Sequence, residues 1–198
     1  MKNKVFPAIL TSKFSEFTLE AGVDEAGRGC LAGPVAVAAV ILPETYELEG
    51  LTDSKLVKLQ DRIRLRAAII SQAISWQVVF IPHTRIDEIN ILQASFEGMH
   101  KAIDGLDPQP EFLAIDGNKF PPYKDIPFEC LVKGDRRFAN IAAASILAKT
   151  SRDAFMEEQH LQYPHFGWDS NKGYPTKKHR EAIQIHGPSP IHRKSFKW

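Results

Sequence analysis

Apolar and polar positions change period several times along the chain, and each change marks an element. From Val23 to Leu42 the residues are largely apolar around a glycine-rich break, which predicts two strands joined by a glycine turn. The second of these, from Pro34 to Leu42, is almost wholly apolar, as a strand covered on both faces requires, and Pro43-Glu44 ends it. The period then lengthens. Leu59, Ile63, Ala67, Ile70 and Ile74 recur at helical spacing, so a helix opened by Asp53-Ser54-Lys55 is expected to run to about Ile74. Trp76 to Ile81 reads as a third strand. Thr84 to about Ile103 is helical again, with Ile86, Ile89, Phe96, Met99 and Ile103 facing inward.

Phe112 to Asp116 is a short buried strand halted by Gly117-Asn118, and Phe128 to Val132 is another. Phe138 to His160 is an alanine-rich helix broken at Tyr163-Pro164, and a shorter helix spans about Thr176 to Ile185 before Gly187-Pro188. Strands paired first as a hairpin and later separated by helices predict an α/β fold, a mixed sheet flanked by helices. The expected organisation is a main domain over 1–162 and a small C-terminal helical cap over 163–198. No internal repeat or low-complexity segment interrupts it.

Composition narrows the class. The chain has 198 residues, 43% hydrophobic and 25% charged, which suits one globular domain with a core that needs no staples. Cys30 and Cys130 form no CxxC pair, so a zinc site or disulfide framework has no support, and a reducing cytoplasm is the expected location. No apolar run is long enough to cross a bilayer, and the basic start lacks the apolar stretch of a secretory signal. Net charge is only +1, but its distribution is uneven. From His165 onward Lys172, Lys177, Lys178, Arg180, Arg193, Lys194 and Lys197 face only Asp169 and Glu181 as acids. Such an end either binds a polyanion or is a solvated basic surface. His165, His179, His186 and His192 show no ligand spacing and are expected at the surface of the cap, and Trp76 and Trp168 are expected to pack.

The candidate chemistry lies in the acids. Asp24 and Glu25 stand side by side at a strand end and are followed by Gly27-Arg28-Gly29. Adjacent carboxylates raise each other's pKa unless a cation lies between them. A glycine loop beside them can expose its N–H groups to a phosphate. Asp116 ends an apolar strand, where sheet-helix proteins commonly bind ligands. Asp135 lies in Lys133-Gly134-Asp135-Arg136-Arg137, just before the long helix. Bland readings exist for each: solvated acids, a turn residue, a helix cap. As a set the four are all-oxygen donors, which selects a hard cation, Mg²⁺ or Mn²⁺. Because neighbouring strand residues point to opposite faces, Asp24 and Glu25 share a site only if the strand ends or twists there, or if Glu25 reaches a second ion. Lys149 and Arg152 fall near one helix face with Ser145, placed either to meet a phosphate or to pair with a neighbour such as Asp153.

These motifs carry a resemblance. Asp24-Glu25-Ala26-Gly27-Arg28-Gly29, Leu51-Thr52-Asp53-Ser54-Lys55, Ile115-Asp116-Gly117-Asn118, Lys133-Gly134-Asp135, Ala144-Ser145-Ile146-Leu147-Ala148-Lys149, Lys172-Gly173-Tyr174-Pro175-Thr176 and His192-Arg193-Lys194-Ser195-Phe196 occur in an order that resembles bacterial ribonuclease HII, over nearly the whole chain. The resemblance implies a ribonuclease H-like fold, cutting of RNA in RNA–DNA hybrids, and incision at ribonucleotides embedded in duplex DNA. It assigns metal binding and catalysis to Asp24, Glu25, Asp116 and Asp135. Gly27, Arg28 and Gly29 would hold the backbone at the RNA–DNA junction, and Tyr174 would pack on the sugar of the following deoxynucleotide. Ser54, Lys55 and Lys149, within the shared motifs, are expected substrate contacts. Thr52 and Leu56 depart from the family's usual residues, which bears on how the substrate meets that segment. The expected enzyme is a monomer that hydrolyses with two metal ions, leaving a 5′-phosphate and a 3′-hydroxyl. The rival class, a non-catalytic binder of hybrids or junctions, needs the basic cap but not the four acids. A nucleotide phosphotransferase is disfavoured because no G-x-x-x-x-G-K-[ST] loop is present.

Overall fold

The computed structural model describes residues 10–197, and the basic start at 1–7 lies outside them. Its organising strand is β2, Val35–Ile41, every residue of which is buried. One face, through Val35, Val37, Ala39 and Ile41, packs on helix α2, His83–Asp104. The other, through Ala38 and Val40, packs under helices α1, Leu59–Gln72, and α3, Ala139–Gln162. Burial on both sides explains why this strand reads as an unbroken apolar run.

β1, Glu20–Ala26, pairs antiparallel with β2 and parallel with β4, Phe112–Asp116. β3, Ser75–Ile81, extends the hairpin side, and β5, Phe128–Leu131, runs parallel to β4. The sheet order is β3-β2-β1-β4-β5, so the strands bearing Asp24 and Asp116 lie side by side with their carboxyl ends together. The first helical turns of α3 press against β1. A Cβ on Gly22 would stand 2.2 Å from the backbone of Asn140, so only glycine allows that approach. The small alanines of α3 serve the same close packing.

Helix α1 differs from the sequence expectation in both start and phase. Residues 53–58 form turns: the Asp53 carboxylate accepts from Lys55 N–H at 2.9 Å and its carbonyl from Leu56 N–H at 2.9 Å. That local bonding competes with helix formation. The buried residues are Leu65 and Ile69, whereas Leu59, Ile63 and Ile74 are 54%, 59% and 42% exposed. The inward stripe is disguised because it includes arginines. Arg66 donates to the Thr150 and Ser151 hydroxyls of α3, and Arg62 pairs with Asp153 at 3.5 Å.

Beyond α3, α4 (Trp168–Asn171) and α5 (Lys177–His186) surround a small apolar core of Phe166, Trp168, Ala182 and Ile183. Leu31, Ala32 and Met156 complete this core from the main body. The expectation of surface histidines holds for His165 and His186 but fails for His179 and His192, which are buried. Trp168 Nε1–H donates to His179 Nε2 at 3.1 Å, and His179 and His192 approach through their Nε2 atoms at 3.1 Å. Polar partners inside the core offset the burial of these rings.

Candidate active site

The carboxyl ends of β1 and β4 open into a cleft of about 300 Å³. Asp24, Glu25, Gly27, Arg28, Gly29, Ser54, Lys55, Asp116, Asp135, Lys149 and Tyr174 all line it, so the residues that the resemblance assigns to the site reach one place. β1 stops at Ala26, immediately after the acid pair, which is how two consecutive residues face the same cleft. Asp116 caps β4, and its Oδ1 accepts from Gly134 N–H at 2.8 Å. That bond ties the strand end to the single helical turn, Gly134–Arg136, that carries Asp135.

The acids are held under electrostatic stress. Burial pushes the Asp24 carboxyl well above the usual carboxylate range, and the charges of Glu25 and Asp116 push it further. The Ser145 hydroxyl and the Glu25 N–H, the latter at 2.7 Å, offset only part of this. Glu25 is also raised by burial, against the pull of Arg28, whose Nη1 lies 3.2 Å from Glu25 Oε1. Glu25 Oε2 is buried with no hydrogen-bond partner. Burial raises Asp116 despite the Gly134 and Asp135 N–H groups. Asp135 is raised to about 6 by burial and then by Asp116 and Asp53.

A buried carboxylate oxygen without a donor, among mutually repelling acids, fits a divalent cation. Among the described residues, no three His, Cys, Asp or Glu side chains form a ready-made metal cage.

Around this floor the polar residues fall into two groups. Lys149 Nζ pairs with Asp153 at 2.6 Å and lies 5.8 Å from the centre of the Tyr174 ring, itself 38% exposed. Arg152, read as a possible phosphate contact, is instead 1% exposed and donates to backbone carbonyls. Its long apolar stem and the close packing around Gly27 and Gly33 draw it inward. Arg193, counted with the basic end, is likewise fully buried. Two participants, Ser145 and Asp53, carry no assigned site role in the sequence reading. Ser145 bonds Ser54 at 3.0 Å and supports Asp24; a hydroxyl on an alanine face of α3 was the available signal. Asp53 is 1% exposed and takes Arg136 in a forked pair at 2.8 and 3.1 Å.

A family model described as Ribonuclease HII matches residues 21–198. The chain belongs to the ribonuclease HII family. A relative from Parabacteroides distasonis named Ribonuclease HII is 57% identical over 178 residues, covering 90% of this chain and 89% of its own. Among solved structures, the ribonuclease H2 of Pyrococcus horikoshii superposes with a TM-score of 0.75 at 27% identity, over 90% of this chain and 93% of that one. The RNase HII of Archaeoglobus fulgidus, solved in a complex with PCNA, gives 0.77 at 26% identity, over 91% and 96%. The fold is therefore ribonuclease H-like, and the protein is a ribonuclease H enzyme of a metal-dependent family whose members cut the RNA of RNA–DNA hybrids.

Proposed function

We propose that this cleft cuts the RNA strand of RNA–DNA hybrids and incises 5′ of single ribonucleotides embedded in duplex DNA, serving ribonucleotide and RNA primer removal. The observation that carries the reading is the stressed carboxylate floor beside the Gly27-Arg28-Gly29 loop. Asp24, Glu25, Asp116 and Asp135 would hold Mg²⁺ or Mn²⁺, two ions in the complete complex. When bound, these cations would supply an activated water and stabilise the leaving 3′-oxygen. Mg²⁺ keeps several waters and uses few carboxylates, so such ions would be shared with the substrate phosphate.

The chain's own groups do the rest. Ser145 and the Glu25 N–H hold Asp24 in place. Arg28 pairs with Glu25 at 3.2 Å and would also meet a substrate phosphate. The glycine loop and Tyr174 would read the sugar, because the 2′-hydroxyl is what separates RNA from DNA at one position. Ser54, Lys55 and Lys149 would contact the backbone, with Lys149 exchanging Asp153 for a phosphate. Backbone contacts carry little base information, so recognition should follow shape. Residues 163–198 would act as a substrate-binding extension of a catalytic domain over 1–162, in a monomer. Two free cysteines and, among the described residues, no helix long and apolar enough to cross a membrane are compatible with a cytoplasmic enzyme.

The test is a labelled DNA duplex holding one ribonucleotide, incubated beside an RNA–DNA hybrid with Mg²⁺, Mn²⁺ or chelator. Cutting of both in either metal and of neither in chelator is expected. Metal-independent binding without any cut product would instead identify a hybrid-binding protein.

A further inference from the structure

The Gly27-Arg28-Gly29 loop, whose Gly27 carbonyl also accepts from Cys30 N–H at 3.3 Å, is held from behind by Arg193, with Arg152 packed beside Gly27; neither arginine lines the cleft. Arg193 has no exposed surface. Its Nη2 donates to the Gly27 carbonyl at 2.8 Å and the Pro34 carbonyl at 3.1 Å, its Nη1 to the Arg28 carbonyl at 2.9 Å, and its Nε to the Gly33 carbonyl at 3.0 Å. Arg152, beside it, donates to the carbonyls of Pro34, Ala32 and Lys172 at 2.9, 3.0 and 2.8 Å. All these acceptors are backbone; no carboxylate is among them.

We propose that Arg193, with Arg152 beneath it, is a positioning residue for recognition of the ribose: it turns the carbonyls of Gly27 and Arg28 inward so that the Arg28 and Gly29 N–H groups face the substrate. This rests on the proposed incision at ribonucleotides. The geometry follows from the planar trans peptide, in which C=O and N–H point in opposite directions. Fixing the Gly27 carbonyl on Arg193 aims the Arg28 N–H away from it, and fixing the Arg28 carbonyl does the same for the Gly29 N–H. Both residues line the cleft. Only a planar fork with five donors reaches this many carbonyls at once; a lysine ammonium has three donors and one centre.

The choice of residue is costly enough to need a reason. Two like charges are buried side by side, and burial followed by the charge of Arg152 lowers Arg193 to about 10, which still leaves it protonated at neutral pH. Well-packed apolar residues of similar volume often stabilise a fold as well as buried ions do. What apolar residues lack is control of carbonyl direction. Arg152 and the Leu31 backbone also set the Tyr174 turn in register with the loop. Arg152 holds the Lys172 carbonyl, and Leu31 N–H donates to the Gly173 carbonyl at 2.8 Å. A Cβ on Gly27 would stand 2.0 Å from Arg152 Nε, so the loop closes directly on the guanidinium.

The experiment compares wild type with Arg193→Lys on a single-ribonucleotide duplex and on a uniform hybrid. The variant should lose 10- to 100-fold in kcat/KM on the first, mainly in KM, and less on the second. Mn²⁺ affinity without substrate should stay within twofold. A folded variant with the wild-type ratio between the two substrates overturns the proposal. Because this variant can fail to fold, amide hydrogen exchange on the wild type provides an independent measurement. The Arg28 and Gly29 amides should exchange freely in the free protein and slow at least tenfold with the single-ribonucleotide duplex in chelator, where nothing is cut. Protection of both amides in the free protein means that they point inward and overturns the proposal. Failure of the wild type to incise at a ribonucleotide, with those amides exposed, sinks the functional reading and leaves the loop geometry standing.

Discussion

Asp24 and Arg193 are both ionisable and nearly inaccessible, at 5% and 0% exposure, yet their surroundings are opposite. Around Asp24 the neighbours are acids, its pKa is driven up, and an adjacent carboxylate oxygen on Glu25 has no partner. Around Arg193 every guanidinium nitrogen donates to a carbonyl. The first region is a charge cluster the fold leaves incomplete, and the second is one it completes itself. Burial alone does not separate functional from positioning charges. What separates them is whether the protein supplies the partner.

The largest effect should come from removing the incompleteness at its centre. Asp24→Asn should lower cleavage by well over the 10- to 100-fold typical of losing an outer partner of a metal site. Its metal-free stability should equal or exceed wild type. The sign follows from linkage: Asp24 has a folded pKa above its unfolded value of about 4, so the unfolded chain binds fewer protons in that window and stability falls as pH rises through it. The variant's advantage should therefore be absent at acid pH and grow toward neutrality. His192, lowered to about 4, gives the opposite slope below the usual histidine range, but it is common to both proteins and cancels in the difference. Near-normal turnover of Asp24→Asn in Mg²⁺ would remove this residue from the site.

Metal addition should have the next largest effect on the wild-type protein. A cation that completes the acid floor stabilises the folded state by about 2.7 kcal/mol at a hundred times its Kd. Protons compete for the same oxygens. Asp135, raised to about 6, should be largely protonated at pH 5 and ionised at pH 7.5. The rise in Tm with Mn²⁺ should thus be larger at pH 7.5, as read by thermal denaturation, and an equal shift at both values would contradict the acid floor as the binding place.

The two regions were not equally legible. Asp24, Glu25 and Asp116 stand out in sequence because acids beside glycines at strand ends violate the expectation for a core, Asp135 because it follows a glycine just before the long helix, and the motif order reinforces all four. Arg152 reads as a phosphate contact or an ion-pair partner and Arg193 as one base of a basic end, since one-dimensional charge carries no sign of a guanidinium turned inward onto carbonyls. His179 and His192 were misplaced for the same reason: a buried ring pair needs its partners to be seen. The phase of α1 was lost because Arg62 and Arg66 lie on its inward stripe and reach polar groups of α3. The sheet, by contrast, was readable throughout, because β2 is uniformly apolar and β4 is apolar up to Asp116, and both end at turn residues.

Tyr174 sits where the completed region meets the cleft. Tyr174→Ala should cost on the order of 1–3 kcal/mol in incision at a single ribonucleotide, by analogy with stacking on nucleic-acid bases. Mn²⁺ affinity and circular dichroism should not change, because the ring is partly exposed and its turn is held by backbone bonds to Arg152 and Leu31. Unfolding of this variant would mean that the ring is core rather than contact.

The smallest effect concerns the exposed bases of α5, which belong to neither region. Lys177 is 91% exposed along its side chain, and Glu181 is 3.8 Å away, a distance and exposure at which an ion pair contributes little. Arg193 and Lys172, which the sequence places in the same basic end, are occupied, the latter by Glu157 at 2.6 Å. Any phosphate contact from the cap therefore falls to residues such as Lys177 and Lys178. Each contact to a phosphate adds about 0.7–0.9 to the slope of log affinity against log salt. The double variant Lys177→Gln, Lys178→Gln should bind a hybrid more weakly at low salt, with a slope shallower by about 1–2 and converging on wild type as salt rises. Its kcat at saturating substrate should be unchanged, since neither residue lines the cleft. Identical slopes would make α5 a solvated surface and confine substrate contact to the cleft, which would leave the comparison between the acid floor and the arginine-held loop as the whole account of recognition.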